Sequence, residues 1–307
     1  MKLILPRLTK GSRQPRVDQT DRCETQIVDV IEGVDYARPA PLPCPLCGQL
    51  NRPRRIALAM GMKIPVAECV SCRLAYQTPR PSSEAALAYA RWRRKLAGEQ
   101  PVDPADERPR ALERLEYVRA VRPAAGRLLD FGGRSEVFVD ACRAAGWEAV
   151  RIDYALEPGD HGARADDTTN PDTAECFDVI TLWDVVGLLH DPPTILRSLR
   201  RRLSERGMLV IATANYESWQ RVVEGRQWAA YGFEHQFYFS PASLEAMTWR
   251  AGFRHFALLD VEHSRPAFSQ LLTRPPKAFG AWRAYLNARR AWPGHGDVAA
   301  MIGVARV

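Results

Sequence analysis

Gly126-Arg-Leu-Leu-Asp-Phe-Gly-Gly-Arg-Ser-Glu-Val-Phe-Val-Asp-Ala-Cys-Arg-Ala-Ala-Gly-Trp-Glu-Ala-Val-Arg-Ile-Asp153 is the stretch whose reading decides the fold. Arg127–Phe131 is a short apolar run closing on Asp130 and Gly132, as in a strand buried on both faces of a parallel sheet. Ser135–Ala145 then sets Val137, Phe138, Ala141 and Cys142 at helical spacing and stops before Gly146. Glu148–Asp153 reads as a second strand. Strand, glycine turn, helix and strand in this order predict an α/β, Rossmann-like doubly wound sheet. Such a sheet takes its ligand across the carboxyl ends of its strands.

Downstream the alternation continues. Phe177–Val185 is a third strand, Pro192–Leu203 a helix and Gly207–Thr213 a fourth strand. Ser240-Pro241 caps another helix that ends at Gly252, and Arg254–Val261 and Ala299–Val307 are two late strands. Strands alternating with helices in this way build a parallel sheet covered on both faces.

Upstream the texture is different. Residues 1–40 form a weakly patterned arm, residues 41–81 a small cysteine module, residues 82–122 a helical linker, and residues 123–307 the α/β domain, with an insertion at about 263–297. Within the linker, a helix is expected from Ser82 to Gly98. A second is expected after the Pro-rich stretch from Pro101 to Pro109, with Leu112, Leu115 and Val118 on its apolar face.

Cys44-Pro-Leu-Cys47-Gly48 and Cys69-Val-Ser-Cys72 carry four of the seven cysteines. Two residues between cysteines turn both thiolates of a knuckle inward, and Gly48 permits the tight backbone. Two knuckles give four soft ligands for one structural, tetrahedral zinc ion, as in a zinc ribbon. Redox-active or merely buried thiols are the alternative, but redox Cys-x-x-Cys motifs come singly, at the start of a helix. Cys142 lies on the apolar face of its helix and is expected in the core.

With 46% hydrophobic residues among 307, the chain has the composition of a globular protein, not a disordered or fibrous one. It holds no apolar run long enough to span a bilayer and no signal-peptide core, so a cytoplasmic protein with no membrane partner is expected. The formal charge is +7, with basic clusters at Arg91–Lys95 and Arg200–Arg202. Solvated helix faces account for these better than a nucleic-acid footprint, and a modest positive field also suits an anionic small substrate.

Leu128-Leu-Asp-Phe-Gly132 followed by Arg151-Ile-Asp153 resembles the class I S-adenosylmethionine-dependent methyltransferases. The resemblance extends through Phe177-Asp-Val-Ile-Thr-Leu-Trp-Asp184-Val-Val-Gly-Leu-Leu-His-Asp-Pro, Gly207–Asn215 and Glu234-His235-Gln-Phe-Tyr-Phe-Ser-Pro to Ala251-Gly-Phe. The branch it resembles includes sugar C-methyltransferases, some with an N-terminal zinc module. It implies S-adenosylmethionine as cofactor, with Asp153 on the ribose hydroxyls, Asp130 near the methionyl ammonium, Gly132 and Gly133 in the cofactor turn, and Asp166 or Asp167 against the adenine. Trp183 and Asp184 would close over the cofactor.

The chain departs from the family's Asp-x-Gly-x-Gly-x-Gly turn, since Arg134 and Glu136 replace the second and third glycines. Arg134 is a candidate partner for the cofactor carboxylate, whereas Glu136 offers that carboxylate no help. Gly187-Leu188 stands where the family often has Glu-His. His235 is the candidate base, because imidazole titrates near neutrality and the residue follows the fourth predicted strand. Tyr231 and Tyr238 are lesser candidates for the base or walls of an acceptor pocket, and His190, before Asp191-Pro192, is expected in a loop or at a helix start. The expected activity is methyl transfer to an oxygen or carbon nucleophile of a small polar acceptor, such as a sugar or natural-product intermediate. The alternative is a methyltransferase-like binding or scaffold protein with a degenerate cofactor loop.

Overall fold

In the computed structural model, residues 42–52, 55–59, 62–81, 104–133, 135–152, 176–228, 230–261 and 300–307 are described. The expectations for the arm at 1–40, the helix from Ser82 and the 263–297 insertion lie outside these residues. The N-terminal strands are β1 (Leu42–Pro43), β2 (Leu50–Asn51), β3 (Arg55–Ala59), β4 (Met62–Glu68) and β5 (Ala75–Gln77). Next come helix α1 (Pro104–Val121), β6 (Arg127–Phe131), α2 (Val137–Ala144), β7 (Glu148–Ile152) and β8 (Phe177–Trp183). The chain continues through α3 (Pro192–Arg201), β9 (Leu203–Ala214), α4 (Trp219–Glu224), β10 (Phe237–Tyr238), α5 (Pro241–Arg250), β11 (His255–Val261) and β12 (Ala300–Arg306).

The large sheet has the order β11-β12-β9-β8-β6-β7. β7, β6, β8 and β9 run parallel, β12 pairs antiparallel with β9, and β11 pairs antiparallel with β12 at the edge. This is the doubly wound sheet that the sequence predicts. β6 and β8 are buried on both faces, and alternation divides their residues. Leu128 packs with Ala111, Leu115, Val118 and Phe138 of α1 and α2. Leu129 and Phe131 face Ile195, Leu199, Leu244 and Met247 of α3 and α5. β9 starts earlier than the sequence suggests, because the chain bulges between Leu203, opposite Phe177, and Met208, opposite Val179.

Two expectations about α1 are corrected. The helix begins inside the Pro-rich stretch, with Pro104 in its first turn and Pro109 within it, on an exposed side where a missing amide costs least. Its buried stripe is Ala111, Leu115 and Val118, while Leu112 is 45% exposed. A stripe at i, i+4 and i+7 follows the 3.6-residue period, which leaves Leu112 a quarter-turn off the stripe.

A second sheet has the order β10-β5-β4-β3, all antiparallel. Its outer strand, β10, comes from the segment after β9, which the sequence presents only as a lead into α5. Cys44, Leu46, Ala67, Cys69, Leu74 and Tyr76 consequently share one buried cluster with Leu129, Ile180, Phe237 and Phe239. The cysteine module gains a core by borrowing that of the large sheet, as a unit of its size must.

Candidate functional site

Where the strand order reverses, between β6 and β8, the carboxyl ends of the strands open into a cleft of about 490 Å³. Parallel register sets Asp130 opposite Thr181, whose hydroxyl donates to the Asp130 carboxylate at 2.8 Å. Asp130 is 2% exposed. Burial pushes its carboxyl up to about 6, against the opposing pull of Thr181, Arg114 and Arg151.

The turn after β6 depends on Gly132. Its φ is +85°, and a Cβ there would stand 2.5 Å from a Val185 methyl. No side chain fits while the loops after β6 and β8 touch. The next departure from the family pattern has a structural explanation. Glu136 accepts from Arg151 Nε at 2.8 Å, and the same guanidinium donates to the Gly133 carbonyl at 2.8 Å. Glu136 therefore ties the turn to β7. Its backbone is right-handed helical, so the position does not require glycine.

Trp183 ends β8 buried, meeting Phe138 edge to face at 5.6 Å between centroids. Its indole Nε1 is buried with no hydrogen-bond partner among the described residues. Asp184 follows in a left-handed conformation, φ +60°. One of its carboxylate oxygens receives Arg110 at 2.8 Å and Arg114 at 3.5 Å, both from α1. A further α1 residue, Glu107, accepts from the Ser135 hydroxyl. α1 thus spans the cleft between the loops after β6 and β8.

Glu234 and His235 line the opposite side with Leu188. Their segment is fixed on two sides. The amides of Gln236 and Phe237 donate to the Gly187 carbonyl at 2.8 and 3.1 Å. From β5, the buried side-chain amide of Gln77 donates to the carbonyls of Gly232 at 2.9 Å and His235 at 2.6 Å. Gly187 has a steric reason too, because a Cβ there would lie 2.8 Å from the Phe237 carbonyl oxygen.

The cleft thus gathers Asp130, Gly132, Gly133, Trp183, Asp184 and His235 from the sequence-derived candidates. Arg134, Asp153, Asp166 and Asp167 lie outside the described residues. Tyr231 and Tyr238 are not walls of this cleft. They pack with Tyr216 and Trp228 in a core beneath the small sheet, and burial pushes the Tyr238 hydroxyl up. His190 is exposed, and the neighbouring Asp191 caps α3. Sequence reasoning missed Glu107, Arg110 and Arg114 of α1, the positioning amide of Gln77, and Glu234 as a wall of the cleft. The only sequence signal for the α1 groups is their place on the helix edge flanking the Ala111–Leu115–Val118 stripe.

Away from the cleft, the sulfur atoms of Cys44, Cys47, Cys69 and Cys72 all lie within 4.8 Å of one another. Four sulfurs at 2.3 Å from a tetrahedral ion stand about 3.8 Å apart, so the set fits a zinc ion. The knuckles match locally: Gly48 (φ +78°) and Arg73 (φ +61°) take the left-handed conformation at equivalent positions, one residue past each pair.

Comparison with known proteins fits this geometry. Residues 89–257, more than half of the chain, match the family described as a methyltransferase domain. No curated protein matches. Among solved structures, the chain is similar to an S-adenosylmethionine-dependent methyltransferase from Archaeoglobus fulgidus, at 16% identity and a TM-score of 0.48 over 71% of this chain and 99% of that one. It is also similar to the 1,6-didemethyltoxoflavin-N1-methyltransferase of Burkholderia thailandensis, at 15% identity and a TM-score of 0.43 over 78% and 97%. The family match, over more than half of the chain, shows that the chain belongs to the methyltransferase domain family, and its doubly wound sheet with a cleft at the strand reversal is of the class I methyltransferase type.

Proposed function

We propose that this protein transfers a methyl group from S-adenosylmethionine to an oxygen or carbon nucleophile of a small polar acceptor, anionic or sugar-like. The observation that carries this reading is one cleft with the buried Asp130 and the Gly132 turn on one side and Glu234 and His235 on the other. The cofactor, when bound, supplies an electrophilic methyl carbon. Asp130 takes the methionyl ammonium and Asp153 the ribose hydroxyls, while Asp166 or Asp167 meets the adenine. Gly132 and Gly133 leave room for the cofactor backbone, Arg134 flanks it, and Trp183 and Asp184 wall it. His235 would accept the acceptor's proton as the nucleophile bonds to the methyl carbon and the carbon–sulfur bond breaks, with S-adenosylhomocysteine as the leaving group, which demands a nucleophile held in line with that bond. Cys44, Cys47, Cys69 and Cys72 hold a structural zinc, and free thiols kept as ligands suit a reducing cytoplasm. No helix among the described residues is long and apolar enough to cross a membrane.

Calorimetry with S-adenosylhomocysteine tests the reading. Stoichiometric binding is expected, with no binding of NADH. Failure to bind would favour the alternative, a binding or scaffold protein whose altered turn no longer accepts the cofactor.

A further inference from the structure

The end of the large sheet away from the cleft carries a charge pattern that the cleft does not use. The parallel strands start there, and β8 sets Phe177 at this rim about 20 Å from Trp183 at the cleft. α3 and α5 end beside each other on the rim. A Cβ on Gly252, just past α5, would stand 3.5 Å from Arg200 Cδ in the last turn of α3. Segments 192–206 and 241–256 hold seven arginines, no lysine and only two carboxylates, Glu205 and Glu245. The amide of Arg254 also donates to the carbonyl of Arg306 at 3.0 Å, which brings an eighth arginine to the same edge.

Helix dipoles explain part of this. The carboxyl ends of α3 and α5 each favour a cation, and Arg200 and Arg250 stand in those last turns. They do not explain Arg206, Arg254 and Arg306, which lie on or beside strands. Internal counter-ions do not explain them either. The acids at the neighbouring strand starts are held by other partners, Asp178 by Arg122 at 2.9 Å and Glu148 by Arg127 at 3.3 Å. Arg206, Arg250, Arg254 and Arg306 are exposed and enter no ion pair among the described residues. Like charges gathered in this way repel one another, and a bound polyanion relieves the repulsion.

Trp249, in the last turn of α5 beside Arg250, is 57% exposed. It is the only aromatic among the strongly exposed large apolar side chains of the described residues. Planar guanidiniums take phosphate oxygens two at a time, and an exposed indole offers its face to a base. Cations spread along an edge match a ligand whose charge repeats, not a small anion. A duplex keeps its base faces stacked, so the indole favours a single strand.

We propose that this rim binds the phosphate backbone of a single-stranded nucleic acid, with Trp249 stacked on a base. Such binding leaves the cleft open, since the cleft lies at the other end of the strands. In sequence the Arg200–Arg202 cluster reads as a solvated helix face; the fold adds Arg250, Arg254 and Trp249 to it.

Fluorescence anisotropy of the full chain with a labelled oligothymidylate of about 20 nucleotides tests this. Binding is expected at about 50 mM salt and should weaken steeply as salt rises. The triple variant Arg206→Gln, Arg250→Gln, Arg254→Gln should lose about tenfold or more in affinity. Its salt slope should fall by about 2, since each phosphate contact contributes about 0.7. Trp249→Leu should weaken binding about fivefold or more and leave the slope unchanged. A control triple on the other face of the sheet, Arg108→Gln, Arg119→Gln, Arg143→Gln, removes the same charge and should bind within about threefold of wild type. Equal losses in the two triple variants overturn the proposal, because net charge alone would then be the cause. So does a wild type that binds no oligonucleotide at that salt, or one that binds phosphatidylserine vesicles in its place.

Discussion

The side-chain amide nitrogen of Gln77 lies 2.6 Å from the carbonyl oxygen of His235, although the two residues belong to distant parts of the chain. Gln77 is fully buried, and its own backbone amide donates to the Gln236 carbonyl at 2.9 Å. The last strand of the cysteine module is therefore the support of the loop that presents Glu234 and His235. Replacing Gln77 by Met keeps the volume and deletes the donor, leaving buried carbonyls unsatisfied. A loss of about 1–3 kcal/mol in denaturant unfolding is expected. Amide exchange should accelerate most in the 232–238 segment. Unaltered exchange there would show that the loop is held by other contacts.

The same connection makes metal content a functional variable. Purified protein should carry about one zinc per chain, and Cys44→Ser should destabilise it far more than Cys142→Ser, because a lost ligand unravels both knuckles. Since Cys69 and Cys72 lie between β4 and β5, stripping the metal should loosen the 232–238 segment as well. Elemental analysis and exchange measurements on the same sample check both statements. Metal-free protein with a fully protected loop would refute the coupling.

Asp130 should leave a signature in the pH dependence of stability. Its folded carboxyl sits at about 6, above the ordinary 3.8, so the folded chain holds that proton more tightly than the unfolded one. This contribution favours folding below the ordinary value and is lost as pH rises through about 6. Asp130→Asn removes the titration. Its stability relative to wild type should therefore improve by about 3 kcal/mol between pH of about 4 and about 7. Affinity for S-adenosylhomocysteine should fall in the same variant, since the ammonium loses its acid. Parallel wild-type and variant stability curves across that window would contradict the burial argument.

Gly187→Glu restores the residue that the family often carries and should nevertheless harm this protein. A Cβ at that position meets the Phe237 carbonyl oxygen at 2.8 Å, and backbone there cannot move without breaking the β10–β5 pairing. Overpacking of this kind costs about 1–3 kcal/mol. A melting temperature equal to wild type would mean that the loops have more room than their hydrogen bonds suggest.

Glu136→Gly, which also restores a family residue, should weaken the protein and not improve cofactor binding. It removes the partner of Arg151 and adds backbone freedom. The half-exposed ion pair is worth up to about 1 kcal/mol and the glycine costs a similar amount. Tighter binding of S-adenosylhomocysteine by this variant would identify the altered turn as an obstruction.

The sequence by itself determined the elements whose pattern is local. The run from Arg127 to Ile152 encodes strand, turn, helix and strand in its own periodicity, and Asp130 and Gly132 are legible because the strand end and the turn each demand a residue type. The paired Cys-x-x-Cys spacing turns the two sulfurs of each knuckle inward for the same reason, since each knuckle closes on itself, whereas the meeting of the two pairs is a tertiary contact. What only the tertiary structure decided is where distant segments meet. Nothing in Phe237-Tyr238 announces that it completes the sheet of the cysteine module. Gly187 reads as a departure from its family until Phe237 is seen against it, and Glu136 does so until Arg151 reaches it from β7. Arg114 is one arginine among several on α1 until Trp183 and Asp184 arrive beside it. These contacts pair single residues far apart in the chain, and such a pair leaves no period for sequence reasoning to detect.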